Sequence, residues 1–261
     1  MQRNTTALVT GATAGIGAEF ARQLAVRGHD LVLVARDAAR LDALAADLAA
    51  RYRVRCEVLA ADLSVRGDVD RVAERLSSAT EPIHILINNA GFGFTTTLTD
   101  ADTGELERAV DVMALAPMIL GGAAARAMVA RGSGQIVTVA SLSAWVTQGA
   151  YSAVKSFAKV WSEGLAGELA GTGVTATALC PGWVTTEFHD RAGLTGQATS
   201  IPRWAWVSPQ RCVREALRDA DKGRILSLPT LPWKLAAFAL QHAPRGIVHA
   251  LSRRLTAAKA T

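Results

Sequence analysis

The sequence predicts an α/β domain built around a parallel sheet, and three observations carry that prediction. Short apolar runs alternate with longer amphipathic stretches, as crossover units require. Most of the short runs are apolar throughout, which suits strands covered on both faces. The first run then turns into a helical stretch through the glycine-rich segment Gly11 to Gly17, where such folds hold phosphates.

Taken in order, the predicted strands are Ala7 to Thr10, Asp30 to Ala35, Val54 to Ala60, Ile83 to Asn88, Gln135 to Ala140, Val174 to Cys180 and Arg224 to Leu228. The stretches between them have recognisable helix starts. Asp37 is placed to cap the helix carrying Leu41, Leu44 and Leu48, and Ser64 to cap the next. Ser208 followed by Pro209 is an N-cap with proline in the first turn. No Pro/Gly/Ser-rich linker or repeat divides residues 1–261, so one domain is expected, with its core at about 6–228. The segment at about 183–207 has no clear period and follows the sixth strand, which suggests a lid. A helical extension at about 232–255 closes the chain.

Composition narrows the function. Half of the residues are hydrophobic and 20% charged, as in a folded globular protein. The net charge of +5 is spread among interleaved acids with no basic run, which argues against nucleic-acid binding. Cys56, Cys180 and Cys212 are odd in number and widely spaced, with neither a metal-ligand pattern nor a disulfide framework, and read as buried apolar residues in a reducing compartment. The sequence enters its first strand without a signal-peptide pattern, and no apolar run of about 18 residues is apparent. A cytoplasmic protein is expected. Trp233 to Leu251, although basic and apolar, is expected to pack on the body or on a neighbouring subunit, so membrane contact is not expected.

Chemistry enters with Tyr151 and Lys155, four residues apart on a predicted helix and therefore on one face. An ammonium beside a phenol favours the phenolate, so Lys155 is expected to lower the Tyr151 pKa toward the working range of a general acid/base. The second requirement is a phosphate cradle. Gly11, Gly15 and Gly17, with Thr13, Ala14 and Ile16 between them, permit a tight turn, close approach of a pyrophosphate, and close packing of helix on strand. The following helix N-terminus offers free N–H groups. The second strand ends Ala35-Arg36, where an acid would receive an unphosphorylated ribose and an Arg accommodates its 2′-phosphate, so NADP(H) is favoured.

Together Thr10 to Gly17, Asp62-Leu63, Asn88-Asn89-Ala90-Gly91, Ser141, Tyr151-x-x-x-Lys155 and Pro181-Gly182 resemble the short-chain dehydrogenase/reductase family. The resemblance spans about Thr6 to Leu228 and implies a Rossmann-like, doubly wound parallel sheet of about seven strands with helices on both faces. It implies that Asp62 and Leu63 border the adenine, that Asn89, Ala90 and Gly91 line the ribose, and that Asn88 braces the sheet. Pro181, Gly182, Val184 and Thr186 would sit at the nicotinamide carboxamide. Ser141, with Ser143 as the alternative, would orient the substrate oxygen. Tyr151 would exchange the proton, and Lys155 would also hold the nicotinamide ribose. Dimers or tetramers would form through the helices that hold Met113 and Tyr151.

Met113 departs from the pattern, since most members carry an Asn there that bends the helix through a water and feeds a proton relay. The activity implied is NADP(H)-dependent interconversion of a carbonyl and a secondary alcohol, with no metal. A catalytically weak NADP(H)-binding sensor or interaction protein is the alternative, resting on Met113. Trp183, Phe188, Trp204 and Trp206 in the lid suggest an apolar substrate without identifying it.

Overall fold

The computed structural model describes residues 5–94, 96–186 and 202–257. Seven parallel strands form the central sheet: β1 (Thr6–Thr10), β2 (Asp30–Ala35), β3 (Cys56–Ala60), β4 (Ile83–Asn88), β5 (Gly134–Val139), β6 (Val174–Leu179) and β9 (Leu226–Ser227). Their spatial order is β3-β2-β1-β4-β5-β6-β9, so the direction of winding reverses between β1 and β4. In such sheets a ligand crevice opens at that switch point, outside the carboxyl ends of the strands.

Helices cover both faces. On one lie α1 (Gly15–Val26), α2 (Ala38–Tyr52) and α7 (Pro209–Asp221). On the other lie α3 (Arg66–Leu76), α4 (Gly104–Val110), α5 (Ala116–Arg131) and α6 (Gly149–Glu168). Alternation of side chains along a strand supplies both cores. In β1, Ala7 and Val9 join Phe20, Leu24, Leu41 and Val213 on the first face, while Leu8 joins Val72, Leu120 and Met128 on the other. Each strand must therefore be apolar throughout, which is the pattern read from the sequence.

Several expectations are corrected in detail. Asp37 caps α2 by accepting from Arg40 N, and Ser208 caps α7 by accepting from Arg211 N, both as expected. Ser64 does not cap α3. Its hydroxyl and N–H both donate to the Asp62 carboxylate, and Asp68 in the first turn of α3 accepts from Asp62 N instead. The lid region begins and ends in a two-residue parallel pair, β7 (Trp183–Val184) with β8 (Trp206–Val207), which is too short to leave a period in the sequence. Phe188 lies outside the described residues.

Nor does the expectation about apolar length hold. Gly104–Arg131 forms a continuous 28-residue helix containing an 18-residue window of mean hydropathy 1.7. That window is 61% buried, packed against α3, α6 and the sheet, so its apolarity is that of a core helix.

The chain closes with α8 (Leu231–His242) and α9 (Arg245–Ala257). Trp233 of α8 lies against Gly182, where a Cβ would run into its indole, and donates to Ala205 O at 3.0 Å. Ser252 of α9 accepts from Thr147 N at 3.0 Å. The extension thus packs on the body, as expected, beside the ends of β5 and β6.

Candidate active site

The phosphate turn follows β1 directly. Gly11 and Gly15 adopt φ of +65° and +55°, in the left-handed region that side-chain-bearing residues rarely enter. Gly17 is required for a different reason: a Cβ there would collide with Gly11 O and Asn89 Nδ2. Helix α1 then begins with Ala14 at its N-cap, without a capping side chain and without an acid in its first turn. Its leading amides, around Gly15 and Ile16, therefore present an unneutralised positive end. At Gly15 the nearest atoms a Cβ would meet belong to Thr186, at 3.4 Å, so the turn and Thr186 form two walls of one cradle. A donor-rich helix end without an acid in its first turn, opening from a glycine turn, fits the pyrophosphate of a dinucleotide.

One hydroxyl ties this turn to the end of β4. Thr10 Oγ1 is buried, donates to Ile87 O at 3.2 Å, and accepts from Asn89 N at 2.9 Å and Ala90 N at 3.0 Å. Asn89 Nδ2 returns the link by donating to Thr10 O at 2.9 Å and Gly11 O at 3.2 Å. Asn89, Ala90 and Gly91 are thereby held against the glycine turn at the switch point. The side chain of Asn88 donates to Pro117 O at 3.2 Å, bracing α5 on the sheet.

At the adenine end, the Asp62 carboxylate lies 4.0 Å from the Arg36 guanidinium, whose side chain is 63% exposed. Burial raises the Asp62 pKa, but the two Ser64 hydrogen bonds and the charges of Arg36 and Arg108 outweigh it and hold Asp62 below its usual value. Leu63 is buried in the apolar core beside Asp62. Arg108, over the Phe92 ring at 5.6 Å, is a contributor that no sequence motif marks.

The catalytic candidates converge at the ends of β5 and the start of α6. Ser141 follows β5 by two residues, caps a single 3-10 turn (Leu142–Trp145), and accepts from Ser143 N at 3.1 Å. Ser143 serves the turn through its backbone, while it is the Ser141 side chain that lies near enough to Tyr151 to lower its pKa, which favours Ser141 of the two. Leu142 N donates to Pro181 O at 2.9 Å, fastening this turn to the Pro181-Gly182 turn after β6. Beyond it Val184 is buried in the pairing with Val207.

Tyr151 lies in the first turn of α6, with the Phe94 ring edge-on at 6.1 Å, and Lys155 lies one turn on. Lys155 is 5% exposed and donates to Val139 O at 2.9 Å. Its Nζ lies 5.8 Å from the centre of the Tyr151 ring. Here the expected pKa pattern is corrected. Burial pushes Tyr151 up to about 12, opposed by the nearby Ser141 side chain, and pushes Lys155 down to about 8. Desolvation of both groups exceeds the attraction between them at this separation, so Lys155 does not lower the phenol pKa toward neutral pH in this arrangement. The neutral phenol is the form that can donate a proton.

Met113 lies in a π-helical turn (Asp111–Leu115) between α4 and α5, 2% exposed within the apolar core. Its thioether packs on Gly91, where a Cβ would stand 3.0 Å from the sulfur. The irregularity at this helix position therefore forms without an Asn side chain.

A Gly-rich turn at the switch point, an Arg at the end of β2, and a Ser-Tyr-Lys group at the end of β5 and the start of α6 define a dinucleotide-dependent oxidoreductase. The chain belongs to the short-chain dehydrogenase family, whose family model, described as short chain dehydrogenase, matches residues 5–195. Among solved structures it is similar to a short-chain dehydrogenase from Sphingobium yanoikuyae in complex with NADPH, at 36% identity over 93% of this chain and 94% of that one, with a TM-score of 0.82. It is also similar to a bulky-bulky ketone specific alcohol dehydrogenase from Comamonas testosteroni, at 33% identity over 91% and 92%, with a TM-score of 0.78. The ketoacyl reductase HetN of Nostoc sp. is 31% identical over 225 residues, 84% of this chain and 76% of the relative.

Proposed function

We propose that this protein is an NADP(H)-dependent oxidoreductase that interconverts a carbonyl and a secondary alcohol, with Tyr151 as general acid/base. The observation that carries the reading is the convergence of Ser141, Tyr151 and Lys155 at the carboxyl end of β5, with Ser141 near enough to Tyr151 to oppose the rise in its pKa and Lys155 anchored on Val139 O. The cofactor supplies the hydride at its nicotinamide when bound.

In reduction, the Tyr151 hydroxyl gives its proton to the substrate oxygen; in oxidation, the phenolate takes it back. The Ser141 hydroxyl holds the same oxygen and stabilises charge developing on it. Lys155, held by Val139 O, reaches the nicotinamide ribose and supplies a positive charge near the phenolate. The α1 N-terminus holds the pyrophosphate, Thr186 beside it the nicotinamide carboxamide, and Arg36 the 2′-phosphate. Two observations support NADP(H): an Arg with a largely exposed guanidinium stands where an acid would favour NAD(H), and the similar Sphingobium enzyme is described with NADPH.

Proteins of this family act on small-molecule substrates. The aromatic residues of β7 and β8, Trp183 and Trp206 with rings 5.5 Å apart, support an apolar one. Exposed Val110, Leu115, Phe157 and Val160 on α4, the π turn and α6 support a homodimer or homotetramer through those helices.

The cofactor assignment is tested by dissociation constants for NADPH and NADH with wild type and Arg36→Ala. Loss of a charge-assisted phosphate contact is expected to weaken NADPH by roughly tenfold to a hundredfold and leave NADH nearly unchanged. Equal NADPH affinity in the two proteins would contradict it.

A further inference from the structure

The end of the chain combines an acid-free sequence with an exposed apolar surface. Asp221 is the last acid; residues 222–261 hold seven Lys or Arg and no Asp or Glu. Helix α8 turns Trp233 and Ala237 inward, toward Gly182 and the turn after Ser141. Its outer face carries Leu231, Leu235 and Phe238, spaced as one helical stripe and 66%, 61% and 64% exposed. Ile247 of α9 is 61% exposed, and Trp204, next to the Ala205 carbonyl that Trp233 holds, is 71% exposed. Large side chains concentrated in this way mark a surface that something apolar covers.

The charges narrow the choice of what covers it. Arg224 is paired with Asp219, and Lys234 lies near Glu215, but Arg245 and Arg253 form no ion pair among the described residues. A second copy docking through the same face would set these cations against their own equivalents, because a two-fold contact is self-complementary in shape and like-charged here. An anionic lipid surface offers apolar chains for the stripe and negative headgroups for the Arg residues.

We propose that the outer face of α8 and α9, with Trp204, seats this protein on anionic membranes. The inner sides of the same helices hold the site: Trp233 lies against Gly182, and Ser252 holds Thr147, four residues before Tyr151. Docking therefore brings the carboxyl ends of the strands to the lipid surface. The sequence predicts that this extension packs on the body or on a neighbouring subunit; its inner side packs on the body.

The test is co-sedimentation of the full chain with phosphatidylcholine vesicles, with and without phosphatidylglycerol, at low and high salt. Binding to anionic vesicles is expected to exceed binding to neutral ones by about tenfold, and salt is expected to reverse the excess. Leu235→Ser combined with Phe238→Ser is expected to abolish binding while leaving melting temperature and mass in solution unchanged, since both side chains are already exposed. Arg245→Glu with Arg253→Glu, a second and independently folding variant, is expected to remove the preference for anionic lipid. Wild type remaining in the supernatant, or binding undiminished in both variants, would overturn the proposal. So would a lower mass in solution for the Leu235/Phe238 variant, because the face would then belong to a second copy.

Discussion

Replacing Thr10 by Val removes one hydroxyl and almost no volume, yet that oxygen accepts two backbone N–H groups and donates to a third residue. The added methyl falls where Oγ1 stood, so Asn89 N and Ala90 N lose their acceptor and Ile87 O its donor. An unsatisfied buried group costs about 1 to 3 kcal/mol. Water reaching the partly exposed Asn89 and Ala90 offsets part of this, so a total near 3 kcal/mol is expected. For a chain of this length about 2 °C accompanies each kcal/mol, so the melting temperature should fall by roughly 6 °C. Asn89 still holds Thr10 O and Gly11 O through its side chain, so the fold should persist while the segment lining the ribose loosens. Thermal unfolding followed by circular dichroism, with NADPH titration of the same samples, measures both effects. A melting temperature within 1 °C of wild type with unchanged NADPH affinity would refute the view that this hydroxyl fastens the phosphate turn to the end of β4.

Two further outcomes are expected. Met113→Asn puts an amide into an apolar cluster and should lower stability by about 1 to 3 kcal/mol; undiminished stability together with faster turnover would show that the amide finds a proton path that the thioether cannot provide. Burial, aided by Arg27 at His29 and by Arg131 at His84, holds both histidines below their usual pKa, so the fold favours their neutral forms. Their contribution is fully present above about pH 6.5 and is lost as pH falls below it, whereas the depressed carboxylates Glu19, Asp62 and Glu215 lose theirs only below about pH 4.5. Melting temperature should therefore drop between pH 7 and pH 5, and less so in a His29→Gln/His84→Gln variant; identical profiles would contradict the assignment.

What the sequence made legible was whatever a period or a local rule expresses. The strands are continuous apolar runs, Asp37 and Ser208 cap by contacts three residues away, and the glycine turn is defined by its own backbone. What escaped depends on contacts between distant segments. Ser64 looked like a cap, but the Asp62 carboxylate recruits it. The Trp183–Trp206 pairing joins two-residue strands from opposite ends of the lid region. The Thr10 hydroxyl bridges to residues 79 and 80 positions away, and Trp233 packs on Gly182 from an extension with no motif. The π turn at Met113 has the composition of an ordinary helix. The opposed pKa shifts of Tyr151 and Lys155 follow from burial, which spacing alone does not reveal.

The central claim is that Tyr151 exchanges the substrate proton, and Tyr151→Phe tests it most directly. NADPH oxidation should be followed with a panel of apolar ketones and aldehydes, alongside NADPH binding, in wild type and variant. Loss of general acid catalysis is expected to slow turnover by roughly a hundredfold or more, with the NADPH dissociation constant changed by less than about threefold. A variant that keeps more than about a tenth of the wild-type rate would contradict the account and move the proton donor to another group.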